Sequence, residues 1–354
     1  MLADAFLVLF PYKGKGELVT YCEAYSRALN GFIVSREQNY QLELRSGICC
    51  VEDSDASDIN SLLDRANMAL KTIKVKGAAQ WKFYDHTMRD KLLREKDLEI
   101  RMEKALADGE FLVYIQPKYW VGTRALAGGE ALVRWKSPDQ GFLSPGEFIP
   151  LFEKNRFIVK LDQFMFTSVC GLLRQWLDAG IEPRPLSVNV SRMQFHTPDF
   201  VERYIRIKSQ YAIPDGLLEL EFTESIFFDN VALLSSAVHE LRRAGIKCSI
   251  DDFGAGYSSL NVLKALPVSV LKLDGMFFRT AKDDEQAKIV IRNIMRMAGE
   301  LKMATVAEGV ETHEQVAFLE TTGCDIIQGY VFARPMPAAE FTELLAGEGG
   351  HAER

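Results

Sequence analysis

Two aspartates stand side by side at Asp251 and Asp252, inside the stretch KCSIDDFGAGYSSL at 247–260. An apolar run ends on them, and a loop carrying Gly254 and Gly256 follows. Asp and Gly are ordinary turn residues, so the stretch alone also reads as a turn. Adjacent carboxylates repel, however, and a close pair calls for a proton or a cation between them. The same pattern recurs along the chain, with apolar runs that carry a polar or charged residue near their C-terminal ends. In order these residues are Gln116, Glu130, Asn189, Glu221, Asp251 with Asp252, Lys272 with Asp274, Glu308 and Gln328. Taken singly, each has a plain account: Glu130 as a surface charge, Asn189 as a turn, Lys272 as a snorkelling side chain. Gathered around one mouth they form an acidic cage, which is untenable unless divalent cations occupy it. Asp251 and Asp252 are then ligands, one to each of two metals or both bordering a bridging position. Gly254 and Gly256 would let the following loop fold closely over the site. With 5 His, and 6 Cys that show no CxxC or CxxH spacing, zinc is disfavoured and an oxygen-held Mg²⁺ or Mn²⁺ is expected.

The elements that must position these residues are legible from periodicity. Eight strands are expected, at 111–119, 129–135, 185–191, 217–224, 247–253, 269–274, 304–310 and 325–330, with helical stretches between all but the first pair. WVGTRALAG, which joins that pair, is too short for a crossover, so the first strand should run antiparallel to the second. The remainder reads as a TIM-like (β/α)8 barrel, whose active site lies at the C-terminal ends of its strands. Ahead of it, residues 1–86 mix short strands with one helix. AFLVLFPY and YQLELRSGICCVE read as strands. DASDINSLLDRANMALKTIKVKG reads as a helix with Asp55 or Ser57 as N-cap and Gly77 as its stop. TMRDKLLREKDLEIRMEKALADG, 87–109, is a charged amphipathic helix, either an inter-domain linker or a plain surface helix. Residues 346–354 read as a flexible tail.

The chain has 354 residues, a length suited to two domains. Its formal net charge of −7 gives no overall attraction to a nucleic-acid polymer or an anionic membrane. No apolar run approaches the ~20 residues that span a bilayer. The adjacent Cys49 and Cys50 suit a reduced, cytoplasmic setting, in which this chain could still be part of a longer sensor-linked protein.

EALVRW (130–135), NVS (189–191), EFTE (221–224), DDFGAGYSSL (251–260), KLD (272–274), AEGVE (307–311) and QGY (328–330) resemble, in order, the motifs of the EAL-domain cyclic di-GMP phosphodiesterases. The resemblance covers about 110–345. It implies hydrolysis of cyclic di-GMP to linear pGpG with two divalent cations, Mg²⁺ or Mn²⁺, and a homodimer formed through this domain. Glu130, Asn189, Glu221, Asp251 and Glu308 match the family's metal ligands, and Asp252 its second-metal ligand. Lys272, with Glu308 and Gln328, matches the group around the attacking water. Gln116, Leu132 and Arg134 match positions near the substrate, and Asp274 is placed with them. Glu224 matches the glutamate that anchors the loop after Asp252, and Glu311 a supporting carboxylate near the dimer-linked side. Ala255 stands where the family loop usually has Thr. The N-terminal residues resemble the second half of a GGDEF diguanylate cyclase domain, α+β in class, truncated and degenerate. Its signature turn would fall at Leu2–Phe6, with Ala5 at the acidic position. A receptor that binds cyclic di-GMP without cleaving it, and signals through the 87–109 helix, is the alternative. Such a receptor is expected to lack a ligand, and this chain lacks none.

Overall fold

The computed structural model describes residues 6–34, 44–51, 58–73, 80–224, 226, 231–254, 267–280 and 284–349. Leu2–Ala5, Asp55, Ser57, Gly77, Ala255–Ala265 and the last residues of the tail lie outside that set. Contacts divide the chain into two units, Met1–Ile100 and Arg101–Arg354.

The first unit contains α1 (Lys15–Val34), β1 (Ser46–Ile48), α2 (Ile59–Lys71), β2 (Trp81–Phe83) and the start of α3 (His86–Ala107). β1 and β2 pair in parallel. The N-cap of α2 is Asp58, whose carboxylate accepts from the Asn60 and Ser61 amides, three residues beyond Asp55 and one beyond Ser57, the two expected caps. That bond satisfies donors that the first helical turn leaves open. Gly47 lies so close under α2 that a Cβ there would meet the Ala66 carbonyl at 1.9 Å. The strand expected from AFLVLFPY is absent at 6–12, and Phe6 and Leu9 are exposed. Of the described residues of YQLELRSGICCVE, 44–51, three form a strand, Ser46–Ile48. An apolar run needs a neighbouring strand to pair with, which periodicity does not report.

The second unit is a closed barrel of β3 (Phe111–Trp120), β4 (Leu126–Ser137), β6 (Leu186–Asn189), β7 (Leu218–Thr223), β8 (Lys247–Phe253), β9 (Val270–Leu273), β10 (Ala304–Ala307) and β11 (Ile326–Ile327). β3 runs antiparallel to both β4 and β11, and the other described barrel pairings are parallel. A short β5 (Gly141–Leu143) extends β4, and β12 (Met336–Pro337) pairs with β3. Neither was expected from the sequence, being too short to show a period.

Strand alternation explains where the charges go. In β7, Leu218, Leu220 and Phe222 join the hydrophobic core outside the barrel, while Glu219 and Glu221 take the other parity. β6 repeats this with Leu186 and Val188 against Ser187 and Asn189, and β8 with Cys248 and Ile250 against Ser249 and Asp251. Register places Asn189 opposite Glu221, and Glu221 opposite Ser249. On the antiparallel pair, Gln116 faces Glu130. Helices such as α5 (Ile158–Asp178), with Phe166, Val169, Leu173 and Trp176 buried, cover the apolar side. Parallel strands covered in this way are buried on both faces.

Candidate active site

β8 breaks its own alternation at the two aspartates. Ile250 pairs with Leu271 and Phe253 with Leu273, so Asp251 and Asp252 together oppose the single residue Lys272. This is a β-bulge, which re-aims a side chain. Asp252 takes a left-handed φ of 54° to make it, a conformation that costs a non-glycine residue roughly 1–2 kcal/mol. Without the bulge one aspartate would point out of the barrel. With it, ligand oxygens of Asp251, Asp252 and Glu308 all lie within 4.8 Å of one another.

Lys272 stands at the centre of the carboxylates and is fully buried. Its ammonium lies 2.6 Å from Glu221 Oε2, 2.6 Å from Glu308 Oε1, 3.0 Å from Asp251 Oδ1 and 3.6 Å from Glu130 Oε2. Burial would lower its pKa, but Asp251, Glu130, Glu221 and Glu308 reverse this and hold it well above the usual lysine value. Burial likewise pushes Glu221 up, but Lys118 and Lys272 overcome it and hold this carboxyl down to about 2. Glu130, Glu308 and Asp252 go the opposite way. Burial, then Glu221, raise Glu130. Burial raises Glu308 well above the carboxylate range, with Asp251 and Glu130 adding to it. Burial, then Asp251 and Asp274, raise Asp252 to about 6. Carboxyls crowded so closely lack positive charge, and their all-oxygen donor set fits a hard divalent cation.

Amides fix the rim. Asn189 Nδ2 donates to Glu130 Oε1 at 2.6 Å, and Gln328 Nε2 donates to Glu130 Oε2 at 2.6 Å. Gln328 also donates to Gln116 Oε1 at 3.1 Å, and Gln116 donates to the Ala333 carbonyl. Glu308 and Gln328 sit one residue past β10 and β11, at their C-terminal ends. The Gly254 amide donates to Glu224 Oε2 at 3.2 Å, which ties the residue after β8 to the end of β7. Gly254 has a φ of +94°, and a Cβ there would meet the Phe277 ring at 2.1 Å, so glycine is required.

The remaining sequence-expected residues border the cage, as Asp274 does beside Asp252, or lie beyond it. Asp274 accepts from the Met276 amide at 2.6 Å. Leu132 and Arg134 follow Glu130 on the same parity of β4. The Arg134 guanidinium donates to the Val133 carbonyl at 2.8 Å and lies 5.6 Å from the Tyr114 ring centroid. Glu311 is half exposed and lies 3.6 Å from Arg279. Sequence reasoning missed Lys118 and Ser187. Lys118 Nζ donates to Ser187 Oγ at 2.7 Å and to Glu221 Oε1 at 2.9 Å. The signal was available: Lys118 follows Gln116 at strand parity, inside an apolar run.

The model of the EAL domain matches residues 100–335. The bifunctional diguanylate cyclase/cyclic di-GMP phosphodiesterase MucR of Pseudomonas aeruginosa is 30% identical over 344 residues, 97% of this chain and 50% of MucR. The cyclic di-GMP phosphodiesterase NbdA of the same organism is 34% identical over 292 residues, 82% of this chain and 37% of NbdA. A solved PaMucR phosphodiesterase in complex with c-di-GMP superposes with a TM-score of 0.66 at 35% identity, covering 69% of this chain and 99% of that one. The chain spans about half the length of the curated relatives it matches.

Proposed function

This chain belongs to the EAL domain family, and from that premise we propose that it hydrolyses one phosphodiester of cyclic di-GMP to linear pGpG. The carrying observation is the cage itself, with Glu130, Glu221, Asp251 and Glu308 gathered on one ammonium and Asp252 brought in by the bulge. MucR and NbdA, named as cyclic di-GMP phosphodiesterases, support the substrate. Glu130, Asn189, Glu221, Asp251 and Glu308 would hold one Mg²⁺ or Mn²⁺, and Asp252 would serve a second. When bound, such a cation pair neutralises phosphate oxygens and makes a water more acidic.

The remaining work falls to the chain's own residues. Lys272, held charged by its neighbours, orients the attacking water and stabilises charge on the phosphate; it is not the base. Gln328 and Asn189 hold Glu130 in place. Arg134 offers a planar fork to a phosphate, and Gln116, Leu132 and Asp274 bound the substrate. In the reaction a water oxygen bonds to phosphorus, the P–O3′ bond breaks, and the 3′ oxygen leaves with a proton. Glu224 steadies the loop after Asp252, Glu311 supports its far side, and the domain pairs with a second copy.

Residues 1–86 are read as a remnant of a diguanylate cyclase domain, 87–109 as its link to the phosphodiesterase at 110–345, and 346–354 as a tail. The 97% coverage of the alignment with MucR supports the first of these. Incubation with cyclic di-GMP and Mg²⁺ or Mn²⁺, followed by chromatography, tests the activity. Appearance of pGpG is expected. Binding without turnover would instead establish a receptor.

A further inference from the structure

Glu221 is held by two lysines, one on each oxygen. Lys272 takes Oε2 at 2.6 Å, from the side of the cage. Lys118 takes Oε1 at 2.9 Å, and its second partner is Ser187 Oγ at 2.7 Å. The two cations differ in surroundings. Lys272 is shared among four carboxylates. Lys118 pairs with Glu221 alone among the described ion pairs, and its ammonium is buried behind that residue.

We propose that Lys118 is a positioning residue of the cage: it locks one oxygen of Glu221 and is that carboxylate's standing counter-ion, so that the other oxygen is free to serve the site. This deepens the phosphodiesterase reading and rests on it. A cation drawn to Glu221 Oε2 competes with Lys272 for the same oxygen. When Lys272 yields, Glu221 keeps Lys118 and does not turn to take both of its oxygens into the site. In the empty cage Glu221 would otherwise share Lys272 with three more carboxylates, whereas a bound divalent cation supplies the missing charge, so the empty cage depends on Lys118 more than the loaded cage does. Lys118 also sets a limit on metal affinity, because its charge repels a cation on the far side of Glu221.

Two consequences of opposite sign separate this from a merely structural role. Removing the charge should weaken the protein without metal and tighten metal binding. Positioning of Glu221 should also be lost, so kcat should fall at saturating metal. The test uses the full chain, with Mn²⁺ alone as the probe, measured by calorimetric titration and by thermal unfolding with and without Mn²⁺. For Lys118→Met, a Mn²⁺ dissociation constant about tenfold lower or more is expected, from unit charges a few ångströms apart at an interior effective dielectric. The Mn²⁺-induced rise in Tm should also exceed that of the wild type. Lys118→Gln, which keeps a polar tip without charge, should behave likewise. A variant recovered folded only when Mn²⁺ is present would show the same coupling. Variants whose Mn²⁺ affinity and Tm shift match the wild type would overturn the proposal and leave the phosphodiesterase reading standing, as would variants that fold neither with nor without Mn²⁺. A wild-type chain that binds no Mn²⁺ would overturn both.

Discussion

In the barrel, strand after strand buries an apolar outer face and turns polar or charged side chains inward, whereas the described residues of 6–100 include a sheet of two three-residue strands and leave Phe6, Leu7, Val8 and Leu9 between 65% and 87% exposed. The barrel buries Glu130, Glu221, Asp251, Lys118 and Lys272 in mutual contact distance of partners. The first unit buries Leu18, Ala69 and Tyr84, and its Arg65 lies over the Tyr84 ring. Closure explains the contrast. Eight paired strands with a full outer core supply enough burial to carry a costly polar interior, and that interior is where chemistry is possible. A sheet of two three-residue strands, as among the described residues of the first unit, has no such reserve.

The sharpest way to break this contrast is to remove a charge from the barrel interior. Glu130→Ala or Asp251→Ala should abolish hydrolysis and leave the fold intact in circular dichroism, since the loss falls on cation binding. Lys272→Ala should lower kcat by roughly 10²–10⁴ at saturating Mg²⁺, the range for a lost positioning or proton-handling group. A wild-type kcat in that variant would remove Lys272 from the mechanism.

Glu224 gives the next largest effect. It accepts from the Gly254 amide, and such a bond to a charged group is worth about 1.5–3 kcal/mol. Asp252, two residues before, already occupies a left-handed conformation. Glu224→Gln or Glu224→Ala should therefore raise the Mg²⁺ needed for half-maximal rate and lower kcat by roughly 10²-fold, the usual cost of a ~1 Å misplacement. An unchanged metal requirement in a metal titration would contradict the anchor.

Asp162 tests the barrel's outer layer. Burial raises its carboxyl to about 6, against bonds from the Ser191 amide and Gln194 that lower it. The folded value exceeds the unfolded one, so the folded chain binds the extra proton. Stability is then greatest at low pH and falls as pH rises from about 4 to about 6. The raised cage carboxyls add a slope of the same sign, so the informative quantity is a difference. Asp162→Asn should remove part of the slope, by about 1–3 kcal/mol across that window. Equal slopes in wild type and variant, by urea unfolding at each pH, would contradict this. Smallest of all, the full chain with GTP and Mg²⁺ should give neither cyclic di-GMP nor pGpG, because on the proposed reading of residues 1–86 as a cyclase remnant Ala5 takes the place of the acidic residue. Any product would undo the contrast between the two units.

The barrel was legible because polar residues interrupt apolar runs at strand parity, and all but the first two of the eight runs are separated by helix-length stretches. The antiparallel β3 followed from the length of one connection. What stayed hidden was geometry that alternation forbids. Two adjacent aspartates reach one site only through a bulge, and nothing in IDDF announces it. Lys118 shares strand parity with Gln116, which marks it as inward-facing, but its contact with Glu221 is visible only from register and burial. In the first unit, AFLVLF has strand composition but no strand, because composition does not supply a pairing partner.

The most direct measurement is turnover in H₂¹⁸O, with pGpG read by mass spectrometry. The account predicts one ¹⁸O in the 5′ phosphate of pGpG formed from cyclic di-GMP, with Mg²⁺ or Mn²⁺ present and no product in EDTA. Cyclic di-GMP recovered intact with either metal, or labelled product formed at full rate in EDTA, would contradict it.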